Sequence, residues 1–149
     1  MTAPTQLCSF RLAGMTFGLP AIEVQEIIRL PAITRVPLAD RAVAGLVNLR
    51  GQIVTAIDLR ARLGLPSRHV GERSIGVVIR TEDGVFGLLV DEIGDVLDLD
   101  HDSLHPIPET VSAGVRDALH GAFQLAERGL VLLLISDHIV RTDVPGVSP

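Results

Sequence analysis

The sequence contains no lysine, no tryptophan and no tyrosine, and a single cysteine. Without lysine there is neither a Schiff-base amine nor the lysine of a phosphate-binding loop. All thirteen cationic side chains are arginine, a usage that codon bias in a GC-rich genome accounts for. Aromatic residues make up 3% of the chain, which removes the ring platforms that stack bases or sugars and calls for an aliphatic core. Cys8 has no second cysteine to pair with, so an intrachain disulfide is excluded and an oxidising compartment is not implied. A cysteine this near an N-terminus can mark a lipoprotein, but residues 1–7 offer neither a basic n-region nor an apolar h-region. The longest apolar run, Leu130 to Ile135, is far short of the roughly 20 residues that cross a bilayer. Net charge is −5 with no basic run, which argues against nucleic acid and an anionic membrane surface as partners, and with no apolar run long enough direct membrane insertion is not expected. Together these absences predict a soluble, cytoplasmic protein.

What is present is apolar: 47% hydrophobic residues and a mean hydropathy of +0.40 over 149 residues. A chain of that length forms one domain and buries roughly 68–70% of its extended surface. Leu7–Leu12 and Met15–Leu19 read as a hairpin about Ala13-Gly14, with residues 1–6 and 144–149 as flexible tails. A helical turn after Pro20 leads into a strand ending near Arg29, and Pro31 and Pro37 bracket a short extended piece. Asp58 caps a short helix over Leu59–Leu63, ended by Gly64 and Pro66, and a polar loop covers 65–73. Ser74–Arg80 and Val85–Val90 pair about Thr81-Glu82-Asp83-Gly84. Leu119–Leu125 and Leu130–Ile135 read as the last strands, before a short helix over Ser136–Val140.

The most informative stretch is Gly45 to Leu59. Apolar runs Leu46–Leu49 and Ile53–Ile57 flank an Arg-Gly-Gln turn, which is a hairpin pattern. Asn48 and Arg50 interrupt it, and a buried amide or guanidinium needs a partner. Glu26 has the same need, lying among Val24, Ile27 and Ile28, and Arg50 is its natural counter-ion. The expectation is a Glu26–Arg50 ion pair joining two parts of the first half.

A weak repeat runs through the chain. Phe17-Gly18-Leu19 recurs as Phe86-Gly87-Leu88, and at the same offset Glu23-Val24 matches Glu92-Ile93, and Pro37 matches Pro106. Gly51 to Ile57 parallels Gly129 to Ile135. Two halves of about five short strands each predict barrels, which remove exposed edges.

Catalytic patterns are absent. No serine stands in Gly-x-Ser-x-Gly, and no glycine motif cradles phosphate. Asp98, Asp100, Asp102 and Glu109 fall at four of the ligand positions of a calcium-binding loop. However, Ser103 stands where the loop needs Gly, and Pro106 and Pro108 lie inside it, so the stretch reads as a solvated acidic turn. No metal or other cofactor is expected.

Several motifs together resemble the CheW-like chemotaxis coupling proteins over about residues 7–140. They are Phe17-Gly-Leu, Val24-Gln-Glu-Ile27, Ile33-Thr-Arg-Val-Pro37, Gly45-Leu-Val-Asn-Leu-Arg-Gly51, Ile57-Asp-Leu-Arg60 and Gly87-Leu-Leu-Val-Asp-Glu-Ile-Gly-Asp-Val96. The resemblance implies an all-β fold of two five-stranded SH3-like β-barrels around a shared aliphatic core, with short helical turns. The division expected is 15–70 and 71–140, with residues 7–14 pairing with either. It implies a non-catalytic adaptor between the cytoplasmic tip of methyl-accepting chemoreceptors and the regulatory domain of a CheA-type histidine kinase, held near the membrane through receptor arrays. By the same resemblance a receptor-binding groove uses Val24, Glu26, Gly45, Asn48, Arg50 and Gly51, with Val90, Asp91, Ile93 and Val96 as its other wall. Leu19 and Ile22 fall near the kinase-facing surface. Thr55 stands where the family commonly has Pro, and Ile135 where the last strand usually leads into Asp. These departures leave room for a pilus, surface-motility or other chemosensory pathway. Met1 and the short tail fit a stand-alone chain better than a domain of a larger kinase.

Overall fold

The computed structural model describes residues 4–66, 75–126 and 129–141. Strands β1 (Pro4–Leu12) and β2 (Met15–Pro20) form the first hairpin, and a 3-10 turn at Ala21–Glu23 leads to β3 (Val24–Arg29). The second hairpin is β4 (Val43–Leu49) with β5 (Gln52–Asp58), and the third is β6 (Ile75–Thr81) with β7 (Gly84–Val90). There follow β8 (Glu92–Asp100), the short β9 (Leu104–His105), and a last hairpin of β10 (Leu119–Leu125) and β11 (Gly129–Leu134). Short helices α1 (Leu59–Arg62), α2 (Ala113–Arg116) and α3 (Ser136–Val140) fill the connections. Asp58 caps α1 by accepting from the Ala61 amide at 3.3 Å, and Gly64 at φ 71° ends that turn.

One sheet has the order β8-β1-β2-β11-β10-β9 and the other β3-β6-β7-β5-β4. This is the expected all-β, two-barrel architecture, with β9 adding a sixth strand to one sheet where five were expected, but the barrels are not consecutive halves of the chain. The β1–β2 hairpin pairs with the C-terminal strands, and β6–β7 pairs with β3 and β5. The division into 15–70 and 71–140 is therefore replaced by an exchange. The unit hairpin–strand–hairpin occurs twice, and each copy gives its first hairpin to the other sheet. The repeat survives at the level of strand order, and even its irregularities repeat. The pairing shifts between Val24 and Glu26 on β3, and the β1–β8 ladder shifts at the corresponding place. One detail of the repeat changes. Leu49 faces Gln52 across the first turn, whereas Leu125 faces Gly129 across the second, so the second loop is one residue longer. Ile57 then corresponds to Leu134, one position from the match of Gly51–Ile57 with Gly129–Ile135.

The N-terminal tail is shorter than expected, because Thr5 and Gln6 pair with Leu99 and Asp98 of β8. The tail from 144 and most of the 65–73 loop lie outside the described residues. The main core draws on both sheets, with Phe17, Leu19 and Leu132 from one and Ile57, Ile79 and Leu88 from the other. It is aliphatic apart from the fully buried Phe10 and Phe17, which stack with ring centroids 6.2 Å apart; Phe123 is fully buried in a second cluster with Leu7, Leu97 and Val131. The central strands β2 and β7 are covered on both faces, so their sequences lose the alternation of a half-exposed strand.

Candidate functional site

The β4–β5 hairpin closes on two residues, Arg50 at φ 54° and Gly51 at φ 87°. Both lie in the left-handed region, as a two-residue turn matched to the strand twist requires. Arginine there is strained, and two contacts hold it. The Asn48 Oδ1 accepts from the Gly51 amide at 2.8 Å. The Arg50 guanidinium donates to both Glu26 oxygens, Nη1 to Oε2 at 2.7 Å and Nη2 to Oε1 at 2.8 Å. The expected ion pair is present, in the two-pronged geometry that fixes direction as well as distance. It ties the turn to β3, at the far edge of the same sheet, and so helps close that barrel. Hydrogen bonding to Glu26, and then its charge, raise the Arg50 pKa and hold the guanidinium charged. Arg50 nevertheless leaves 77% of its side chain in solvent, against 27% for Glu26.

Asn48 is thus explained by the turn itself, a role that sequence reasoning did not assign. Beside the turn the surface is apolar. Leu46 shares the outer face of β4 with Asn48, and Ile53 stands opposite Asn48 on β5, both exposed; Ile27 is exposed too, but on the face of β3 opposite to Glu26.

The remaining expected residues separate by burial. Val24 is half-buried, and Gly51 is exposed. Ile93 and Val96 are exposed on β8, the outer strand of the other sheet. Val90 does not form a wall: it is buried in the shared core, as the end of a central strand must be. Gly45 is also buried, and at φ 151° a Cβ would sit 2.2 Å from the Thr34 carbonyl oxygen. Its role is to let the 34–46 bridge close, not to touch a partner. Leu19 has no exposed surface, so it cannot meet a kinase in the folded protein, whereas Ile22 is 95% exposed.

Asp91 is committed inside the molecule. Its Oδ1 accepts from Arg60 Nε at 3.0 Å and its Oδ2 from Arg60 Nη2 at 2.5 Å and from the Ala13 amide at 2.9 Å. The pair is largely covered, with 16% and 15% of the two side chains exposed. Arg60 was legible only as part of a motif. Its partner lies 31 residues away, and nothing in the spacing announces it. The acidic stretch also takes shape differently from a calcium loop. Asp98 belongs to β8, and Asp100 Oδ1 accepts from the Asp102 amide at 3.0 Å to cap the following turn. Among the described residues no three His, Cys, Asp or Glu side chains gather as a metal site.

Comparison with known proteins matches residues 6–143 to the CheW-like domain model. The chemotaxis protein CheW of Klebsiella aerogenes is 31% identical over 132 residues, covering 89% of this chain and 80% of that protein. Protein PilI of Pseudomonas aeruginosa is 28% identical over 122 residues, covering 82% and 68%. The crystal structure of the scaffolding protein TtCheW from Thermoanaerobacter tengcongensis superposes with a TM-score of 0.77 at 26% identity, covering 89% of each chain.

Proposed function

The chain belongs to the CheW-like family and is a chemotaxis adaptor, and on that premise we propose that it couples the cytoplasmic tip of a methyl-accepting chemoreceptor to the regulatory domain of a CheA-type histidine kinase without catalysing a reaction. The observation that carries this reading is the Glu26–Arg50 pair, set on an exposed turn beside exposed Leu46 and Ile53. An apolar surface with a fixed charge pair at its edge suits one face of an amphipathic receptor helix. The apolar side chains supply most of the energy and the charges set the register. Val24, Asn48 and Gly51 support the same surface, and Ile93 and Val96 form its second wall. Ile22 contributes to the kinase-facing side. Arrays of receptors hold the protein at the inner face of the membrane.

Co-purification tests this directly. Tagged wild-type protein retains both a receptor-tip fragment and the kinase regulatory domain, and Arg50→Glu retains the kinase domain alone. Retention of neither partner by the wild type contradicts the proposal. The likeness to PilI favours a second reading, in which the same coupling serves a pilus or surface-motility pathway. The receptor that co-purifies from the native cell separates the two.

A further inference from the structure

The chain passes between its two sheets at two places, and they are built differently. From the six-stranded sheet to the five-stranded one it passes through Ala21–Glu23, where Ile22 is 95% exposed. On the return, β7 ends at Val90 and β8 begins at Glu92, so Asp91 alone makes the crossing. The offset that carries Phe17 onto Phe86 carries Ile22 onto Asp91. One crossing thus has an exposed apolar side chain where its counterpart has a carboxylate gripped from two sides.

That grip reaches both sheets. Arg60 stands on α1, directly after β5 of the five-stranded sheet, and also donates to the Pro66 carbonyl at 2.8 Å, which fixes its own loop. Ala13 belongs to the β1–β2 turn of the six-stranded sheet and sits at φ 50°, a strained conformation for alanine. Asp91 binds both, and its own amide donates to the Arg11 carbonyl at 3.0 Å. A second arginine of the same helix, Arg62, donates to the His138 carbonyl of α3 at 2.8 Å, again crossing between the sheets. The structural counterpart of Arg60 after β11 is Asp137, which stands in solvent.

We propose that Arg60 and Asp91, assisted by Arg62, form a clasp on one crossing that sets the angle between the two sheets. They are positioning residues. The inference rests on the receptor-binding reading above, because Glu26 and Arg50 lie on one sheet while Ile93 and Val96 lie on the other. A partner that touches both sheets meets a matched surface only when their angle is fixed.

The test uses nitroxide labels at Gln52→Cys on one sheet and Gln124→Cys on the other, both exposed, in a Cys8→Ala background. Pulsed electron resonance measures the distance between them. With the clasp intact the distribution is narrow. In folded Arg60→Gln it broadens or shifts, and an unchanged distribution overturns the clasp. If Arg60→Gln does not fold, Arg60→Lys, which keeps the charge but not the two-pronged geometry, takes its place with the same expectation. In parallel, Arg60→Gln weakens binding of the receptor-tip fragment roughly tenfold while leaving kinase-domain affinity within about twofold. Arg50→Glu is the control. If it abolishes receptor binding and Arg60→Gln does not alter it, the positioning role fails and the receptor reading stands. If neither variant alters receptor binding, the receptor reading fails, and the label distances alone decide the clasp.

Discussion

The two sheets share one strand order, yet they hold their polar residues in different places. The β4–β5 turn has two residues, an Asn cap and an arginine paired to the sheet's far edge. The β10–β11 loop is one residue longer, and Gln124 stands where Asn48 stands. A duplicated scaffold has kept its core and lost its symmetry at the surface. Core positions answer to packing, which is the same in both copies, whereas surface positions answer to partners, which are not.

The comparison can be broken first where the copies agree. Gly45 and Gly121 occupy the same bulge. A Cβ on Gly45 meets the Thr34 carbonyl oxygen at 2.2 Å with φ at 151°, while one on Gly121 meets the His105 carbonyl oxygen at 2.8 Å. Gly45→Ala should cost about 4 kcal/mol, overpacking and backbone strain together, and Gly121→Ala about 2 kcal/mol. Urea unfolding of both variants measures the difference, and the reverse order would show that the two bulges are not equivalent.

The crossings come next. Asp91→Ala leaves the largely covered Arg60 guanidinium without its carboxylate and should cost about 3 kcal/mol. Ile22→Ala, at the exposed counterpart, should stay within about 0.5 kcal/mol. Equal losses would remove the contrast between a clasped and an open crossing. Smaller again is the turn. Asn48→Ala loses one hydrogen bond to Gly51 and about 1 kcal/mol, and Gln124→Ala should lose almost nothing.

The smallest expected effect is on pH. Burial raises the Cys8 thiol above its ordinary value near 9.0, because the thiolate is disfavoured inside the sheet. Unfolded chain then gives up this proton first. The contribution is complete below pH 9 and declines as the pH rises beyond it. Unfolding measured from pH 8 upward should show a steeper loss in the wild type than in Cys8→Ala. The raised arginine pKa values add no slope in this range, since both guanidinium groups stay charged throughout.

Much of this was legible in the sequence. Hairpins announced themselves through β-branched runs and glycine turns, and the Glu26–Arg50 pair followed from two charges in apolar surroundings. The exchange of hairpins was not legible, because a repeat gives the order of strands but not which copy they pair with. Leu19 and Val90 were misjudged for a related reason. A motif locates a residue on a strand, but β2 and β7 are covered on both faces, so no alternation marks which side chains reach solvent. Arg60 and Asp91 escaped because their meeting depends on where the chain crosses between sheets, a long-range property of the topology.

The central claim is that only the Glu26–Arg50 turn, and not its counterpart on the other sheet, is a docking surface for the receptor. Calorimetric titration of a receptor-tip fragment into wild type, Arg50→Glu and Gln124→Glu tests it most directly. The account predicts at least a roughly tenfold weaker affinity for Arg50→Glu with the protein still folded, and no change for Gln124→Glu. Equal affinity of all three proteins, or a loss confined to Gln124→Glu, would contradict it.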